Sequence, residues 1–519
     1  MKKAIYLIIA LIGLSAPSCS DSMLDFSPTD SGSGTELLKS AFTAITSVNG
    51  VYRSMWTAGW STTANTHQCF GIAAYNLALD CMADDLIMQS QGNGWFWGDH
   101  CYNVKSNYTS SAFRSYDVWY ANYKWIANVN YIIDAEPEMA GTEADVAYVA
   151  GQAYAIRALC YLNLATWFSR APYNPLTGAS RWNEACVPVY TTGTSIDTGG
   201  QPRESLRTVY GRIDQDIDRA IELLEKARET TLAENNKSHI NLYVALGIKS
   251  RACLAEGDWD GAFKAAKRVI DEGGYAVGTK SDLTGGMNSL GKQNVMWGAG
   301  IQVADQAGGY AGFFTHMDNK EGAYAKSAPK LISKQLYNRI SATDIRRDWW
   351  DPSDKESPYV SKKFSFGNVA SFLGDYIYMR VEEMYFTAAE AALRLDDLKS
   401  ARELMNTVMA ERDPSYSANN RSGTLLGATT TTWTGSFLEN ILTHRRIELW
   451  GEYGRLFDVR RLGQGIDRRT DDGFSEECIS MMNRRNVNIT KADTYDWVLT
   501  IPKAELDANP NINEEDQNP

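Results

Sequence analysis

Two stretches of this 519-residue chain carry the same short pattern, and that repetition limits what the chain can become. Between Ala245 and Ile270, Gly257-Asp258-Trp259 is followed by Ala262; between Tyr385 and Met409, Asp396-Asp397-Leu398 is followed by Ala401. Ser250 and Ala389 correspond at the same offset. The spacing predicts two helical hairpins, in which small residues let the paired helices approach and Trp259 or Leu398 covers the turn. Such a hairpin cannot bury its apolar face alone and has to stack on others. A third pair is predicted from the helix Val146 to Phe168, an insertion, and the helix Leu206 to Ala227. In the latter, Leu206, Val209, Ile213, Ile217, Ala220, Ile221 and Leu224 recur at steps of three and four.

These hairpins resemble the tetratricopeptide unit. The expected fold class is mostly α: a scaffold of tetratricopeptide-like helical hairpins with long irregular loop-rich insertions and a few short strands. Helical periodicity also covers Glu36 to Tyr52 and Trp119 to Ile133, separated by a first insertion at about 80–115. Within it, Gln91 to Tyr108 sets Trp95, Phe96, Trp97, Tyr102 and Tyr108 among Gly, Asn, Asp and Ser, which reads as a loop. The second insertion, about 273–374, is rich in Gly, Ser, Asn and aromatic residues, with strand-like runs such as Asn294 to Val303. Excursions of that length from a helical scaffold tend to carry function. Residues 36–519 are read as one domain holding both insertions.

The first residues follow the grammar of an export signal. Lys2 and Lys3 precede an apolar run from Ala4 to Leu14, then Ser15, Ala16, Pro17, Ser18 and Cys19. The run falls short of the roughly 20 residues that span a bilayer, so residues 1–18 are expected to be removed. Cys19 stands where a lipoprotein carries a diacylglycerol, and a second acyl chain on the new amino group completes a stable anchor. Residues 19–35, rich in Ser, Asp, Gly and Thr, make a flexible spacer. A soluble secreted protein cleaved at a plain Ala-x-Ser site is the alternative. Loss of Lys2 and Lys3 takes the formal charge from -12 to -14.

That acidity offers no general attraction to phosphate backbones, so nucleic acid is not an expected partner. The content of 15 Trp, 27 Tyr and 16 Phe is too aromatic for a disordered chain. Gly286 to Gly291-Lys292 begins like a phosphate-binding loop, but Gln293 stands where Ser or Thr should hold magnesium. His67, His100, His239, His316 and His444 are scattered, and no two Cys form a C-x-x-C pair, so neither metal nor cofactor is expected. With Cys19 lipidated, seven Cys remain and cannot all pair; Cys69, Cys81 and Cys101 lie close enough in sequence to include one disulfide, but all are read as buried thiols. Asp84-Asp85 and Glu382-Glu383 are pairs of the kind a glycosidase uses. Adjacent residues on a helix do not face each other, and these are read as solvated or capping carboxylates.

Several segments together resemble the SusD/RagB family. They are Met23-Leu24-Asp25 with Pro28; Trp119-Tyr120 to Ile126-Ala127-Asn128 and Asn130; and Arg157-Ala158-Leu159 with Tyr161-Leu162. Arg445-Arg446-Ile447-Glu448-Leu449 through Gly454 to Arg461, and Ile501-Pro502 with Glu505, Asn509-Pro510 and Asn518-Pro519, follow in the family's order. The resemblance implies a helical surface lipoprotein of a Gram-negative outer membrane. Such a protein captures nutrient and passes it to a SusC-like, TonB-dependent transporter. It also implies ligand-binding loops before the Trp-Tyr helix and in the insertion between repeats. The Arg445 to Arg461 block itself is read as scaffold, its Arg and Glu making charge-assisted pairs that hold helices in register.

The expected site is an aromatic platform. Trp95 and Trp97 lie on one loop with Asn93 and Asp99, and Trp297 with Tyr310, Phe313 and Phe314 lies in the long insertion. Sugar rings present C-H patches on a face and hydroxyls around an edge, which suits an aromatic face beside Asn or Asp. The alternative is that these rings pack the insertions onto the helices. The expected function is non-catalytic glycan binding. Capture of peptides or another oligomeric nutrient, and a glycoside hydrolase on helical hairpins, stand as alternatives.

Overall fold

The computed structural model describes residues 34–57, 66–103, 113–233, 237–302 and 311–519; the signal, Cys19, nearly all of the spacer, and Tyr310 lie outside the described residues. The chain runs through α1 (Ala41–Ser54), α2 (Ile72–Met82), β1 (Leu86–Ile87), the single turn α3 (Trp97–His100), α4 (Phe113–Ala135) and α5 (Glu143–Phe168). Next come α6 (Leu206–Lys226), α7 (Leu242–Glu256), α8 (Trp259–Glu272), β2 (Val295–Ala299), α9 (Phe313–Met317) and α10 (Ala323–Ser327). Strands β3 (Leu331–Ile332), β4 (Trp350–Asp351), β5 (Val360–Ser361) and β6 (Tyr376–Arg380) precede α11 (Val381–Arg394) and α12 (Leu398–Ala410). Toward the C-terminus lie α13 (Phe437–Glu448), α14 (Arg455–Arg461) and α15 (Lys503–Ala508). The architecture is mostly helical with few short strands.

Both repeat turns use one device. Gly257 and Asp396 adopt left-handed backbone (φ +79° and +61°) that stops α7 and α11. Asp258 and Asp397 then accept the backbone N–H of Gly261 and Ser400, each at 3.0 Å, and start α8 and α12. Ser250, Ala262, Ala389 and Ala401 are buried where the helices meet, as small residues at those positions require. Trp259 is half-buried, packs on the cluster of Cys253, Leu254 and Ala262 at the turn, and lies under the Arg394 guanidinium at 4.7 Å, so it bridges the two hairpins at their margin.

The third pair is α5 with α6. A Cβ on Gly151 would stand 2.9 Å from Leu224 Cγ, so the two helices approach more closely there than any side chain allows. The stripe on α6 is buried, apart from a half-exposed Ile221, and Asp216 on the same face accepts Arg157 Nε and Nη2 at 2.7 Å each. Arg157 Nη1 donates to Asn130 Oδ1 at 2.7 Å, which ties α4 into the same layer. One continuous core runs from Ala41 to Ile501.

The insertions meet in a four-stranded antiparallel sheet of order β1-β3-β5-β4, with Leu86 opposite Ile332 and Trp350 opposite Ser361. β1 belongs to the first excursion and the others to the second, so the sheet holds the two loop regions side by side. A separate ribbon pairs β2 with β6, and Trp297 faces Met379 across it.

The adjacent acids are neither solvated nor capping. Asp84 and Asp85, at the end of α2, are buried and receive Arg446 and Arg455: Arg446 Nη2 lies 2.9 Å from Asp84, and Arg455 Nε lies 3.1 Å from each carboxylate. Burial works to raise the pKa of Asp84, but the two guanidiniums bring it down to about 2. Glu383 holds Arg251 through two bonds of 2.8 and 2.7 Å, and Glu382 receives Arg412 at 2.8 Å and Arg380 at 3.0 Å. The reason for the misreading is physical: a carboxylate cannot enter a core unless cations come with it, and here the cations arrive from other helices. Arg445 and Arg461 likewise share Asp458 at 2.8 and 2.7 Å, so the block from Arg445 to Arg461 pins α13 and α14 to the core. The seven Cys of the described region are all buried thiols.

Candidate functional site

The loop between β1 and α4 is folded onto its neighbours. Asp99 is buried and accepts Arg114 Nε and Nη2, both at 2.8 Å, so the loop is locked to the first turn of α4. Arg114 Nη1 also donates to the Gln68 carbonyl at 3.2 Å, and Gln68 Oε1 accepts the N–H of Phe96 at 2.8 Å. Phe96 takes φ +61° to allow this. At the other end Gly92 (φ +53°) lies against α10; a Cβ there would stand 2.6 Å from the Ser327 carbonyl oxygen. Only glycine satisfies both the left-handed backbone and that approach.

This docking places Trp95, half-buried, over His67 with ring centroids 4.9 Å apart and planes 16° from parallel. Tyr324 of α10 meets the edge of Trp95 at 6.1 Å, and its hydroxyl lies 2.5 Å from His67 Nδ1. Beneath them His316 Nε2 donates to the His67 carbonyl at 2.6 Å. Burial, reinforced by the Lys330 ammonium, holds the His316 pKa well below the ordinary histidine range, so this ring stays neutral. Asn93 stands exposed on the loop tip two residues from Trp95. The result is a tryptophan clamped from one side by a histidine and a tyrosine, with an amide beside it.

The expected platform is corrected at five positions. Trp97 is 3% exposed and packs beside His100, because it begins α3 and turns inward there. Asp99 is engaged by Arg114 and faces no solvent. Trp297 sits inside the β2-β6 ribbon; its Nε1 donates to the Ser238 carbonyl at 3.1 Å and its ring meets Tyr378 edge-on at 5.0 Å. Phe313 and Phe314 on α9 pack edge-to-face at 5.3 Å and bury themselves against Phe364, Phe366 and Tyr376. Of the described candidates, Trp95 and Asn93 remain at the surface. His67 and Tyr324, which complete the cluster, carry no sequence signal that links them: one stands before α2 and the other in the second insertion.

The comparisons with known proteins agree on one family. The sequence model described as SusD family matches residues 323–519, and one described as starch-binding associating with outer membrane matches residues 52–254. A solved SusD-like carbohydrate binding protein from Bacteroides vulgatus ATCC 8482 superimposes with a TM-score of 0.73 at 24% identity, covering 92% of this chain and 98% of that one. A SusD superfamily protein from Bacteroides thetaiotaomicron VPI-5482 gives 0.72 at 22% identity, over 92% and 100%. Surface glycan-binding protein A from Bacteroides thetaiotaomicron, solved in complex with laminarihexaose, gives 0.64 at 16% identity, over 92% and 98%. A search of curated proteins finds no match. The two sequence models lie in separate parts of the chain and the shared fold spans both, so the hairpins, the insertions that carry Trp95 and Tyr324, and the C-terminal tail are parts of one SusD-like protein, the family to which this chain belongs.

Proposed function

We propose that this protein is a non-catalytic glycan-capture lipoprotein of the outer surface, holding its ligand at Trp95 and Asn93. It would deliver that ligand to a SusC-like, TonB-dependent transporter. The observation that carries the reading is the clamped Trp95 ring beside an exposed amide, a pairing suited to a pyranose face and its hydroxyl edge. That a structural neighbour was solved with laminarihexaose supports the ligand class. The hydrolase alternative loses its candidate acids, since Asp84-Asp85 and Glu382-Glu383 are consumed in buried arginine pairs. Incubation with plant, host and microbial polysaccharides separates the readings: retardation in affinity electrophoresis without product means a binder, and released sugars mean an enzyme. A peptide panel retained in place of every glycan would move the ligand class to peptides.

Trp95→Ala is expected to weaken glycan binding roughly tenfold or more, since a stacked ring contributes about 1–3 kcal/mol. The melting temperature should change little, because part of the ring already faces water. Titration calorimetry reads the first and differential scanning the second; unchanged affinity would remove Trp95 from the site.

Cys19→Ala is expected to leave a folded protein that no longer sediments with membranes, because a tether of two acyl chains holds and the bare chain has none. Among the described residues no helix is long and apolar enough to cross a membrane. Fractionation of cells expressing the variant tests this, and full retention in the outer membrane would refute the anchor.

A further inference from the structure

An aromatic-walled cleft lies away from Trp95. It occupies about 460 Å³ along α4, between that helix, the loop at 190–198 and α15. This is within the range of about 300–1,000 Å³ typical of small-ligand sites. Its walls are Trp119, Tyr120, Tyr123 and Tyr190, four aromatic residues around one open space.

Three features define what fits. First, the aromatic walls are fixed. Trp119 Nε1 donates to Glu505 Oε2 at 3.2 Å, Tyr123 OH donates to the Pro188 carbonyl at 2.7 Å, and Tyr190 OH accepts the Gln201 N–H at 3.0 Å. Tyr120 stacks on Tyr116 at 5.6 Å with planes 11° apart. Second, the rim is polar and uncharged on balance. Ser195 and Thr198 present hydroxyls at its exposed edge, and the one carboxylate, Glu505, is matched by the one ammonium, Lys124. Third, Glu505 keeps acceptor capacity. Its oxygens receive Trp119 Nε1 and Asn509 Nδ2, one bond each, and each carboxylate oxygen accepts two. Apolar faces, hydroxyl-compatible edges and cancelled charge together describe a neutral polyhydroxylated ring. A fatty chain would strand the polar rim, and a ligand of either charge finds no net opposite charge in the cleft.

We infer that this cleft is a second carbohydrate site, taking a neutral pyranose unit against Tyr120 and its aromatic neighbours, with hydroxyls bonded to Glu505 and Lys124. The inference rests on the glycan reading for the ligand class, but not on Trp95. Both sites are set by α4. Its first turn holds the Trp95 loop through Arg114, and the cleft begins at Trp119, roughly one and a half turns further on. Two sites on one rigid helix let a polymer be held at two points, so that its effective concentration at each is raised by the other.

The test uses the full-length lipoprotein in detergent and neutral hexasaccharides of glucose, mannose, galactose and xylose, read by saturation-transfer NMR and calorimetry. Wild type, Trp95→Ala, Tyr120→Ala, Tyr120→Trp and the Trp95→Ala/Tyr120→Ala pair are compared, with thermal melts of each. At least one sugar is expected to keep binding to Trp95→Ala, and adding Tyr120→Ala should lower that residual affinity at least tenfold, with Tyr120→Trp retaining it. Absence of residual binding in Trp95→Ala overturns the cleft and leaves the Trp95 site standing. Residual binding that Tyr120→Ala does not touch also overturns the cleft, as it would if this face docks a protein. Binding abolished by Tyr120→Ala alone and untouched by Trp95→Ala removes the Trp95 site and keeps the cleft. A wild type that binds no sugar refutes both.

Discussion

Glu448→Gln is expected to destabilise the protein by about 3–5 kcal/mol, the loss typical of removing one partner from a buried ionic cluster. Glu448 is fully enclosed and accepts Arg346 at 3.0 Å, Arg380 at 2.9 Å and Arg412 through two bonds of 2.9 Å. Around it Asp344, Glu382 and Glu452 complete the anions, and Lys363 the cations, so that Arg346, Arg380, Arg412 and Lys363 are balanced one for one. Gln keeps the shape and deletes the charge, leaving a positive excess with no water to screen it. Burial pushes the Glu448 carboxyl up, but the guanidiniums of Arg412, Arg380 and Arg346 override it and hold the pKa well below the usual carboxylate range. A carboxyl depressed on folding contributes stability above its unfolded pKa and loses it as pH falls toward the folded value. The wild type should therefore weaken on acidification below about pH 5, and the variant should show less of that slope. Urea unfolding at pH 7 and pH 4 measures both; a loss under about 1 kcal/mol at pH 7 would mean the cluster relaxes around a neutral residue.

Trp97→Ala is expected to destabilise by a comparable amount, about 3–5 kcal/mol, because it removes a large side chain from the core and the surroundings collapse only in part. Its Nε1 has no hydrogen-bond partner among the described residues, so truncation strands no polar group and the loss is one of packed volume. Affinity of the fraction still folded should stay within a fewfold of wild type. Two residues away, Trp95→Ala should do the reverse, with weaker binding and a near-normal melt. Paired melts and titrations of the two variants check the contrast, and an early melt for both would mean that Trp95 is packing too.

That contrast shows where local sequence stops being informative. The helices were legible because their signals are short-range: Gly257-Asp258 and Asp396-Asp397 spell a helix stop followed by a cap, and the α6 stripe repeats every three or four residues. The loop around Trp95 was legible as a place of interest but not as a shape. Whether a ring faces out depends on Phe96 and Gly92 taking left-handed backbone and on Arg114 reaching back to Asp99, and no local pattern declares these. Asp84-Asp85 illustrates the same limit. Two adjacent acids read as solvated until Arg446 and Arg455 are known to stand over them, and those partners lie more than 350 positions away. His67 and Tyr324 stand 257 positions apart and meet where His316 of the second insertion bonds the His67 carbonyl.

The distance between those partners has a consequence for the order in which the molecule can be assembled. A chain made from its N-terminus presents Asp84 and Asp85 early and Arg446 and Arg455 near the end, with 361 positions between Asp85 and Arg446. Until the arginines exist, enclosing the end of α2 would take two bare carboxylates out of water, at several kcal/mol each. The same delay applies to Arg380, which waits for Glu448, and to Glu382, which waits for Arg412. A partly synthesised chain therefore has reason to remain open around these groups until its final stretch is available. If the chain is exported as proposed above, that late closure would act as a built-in timer.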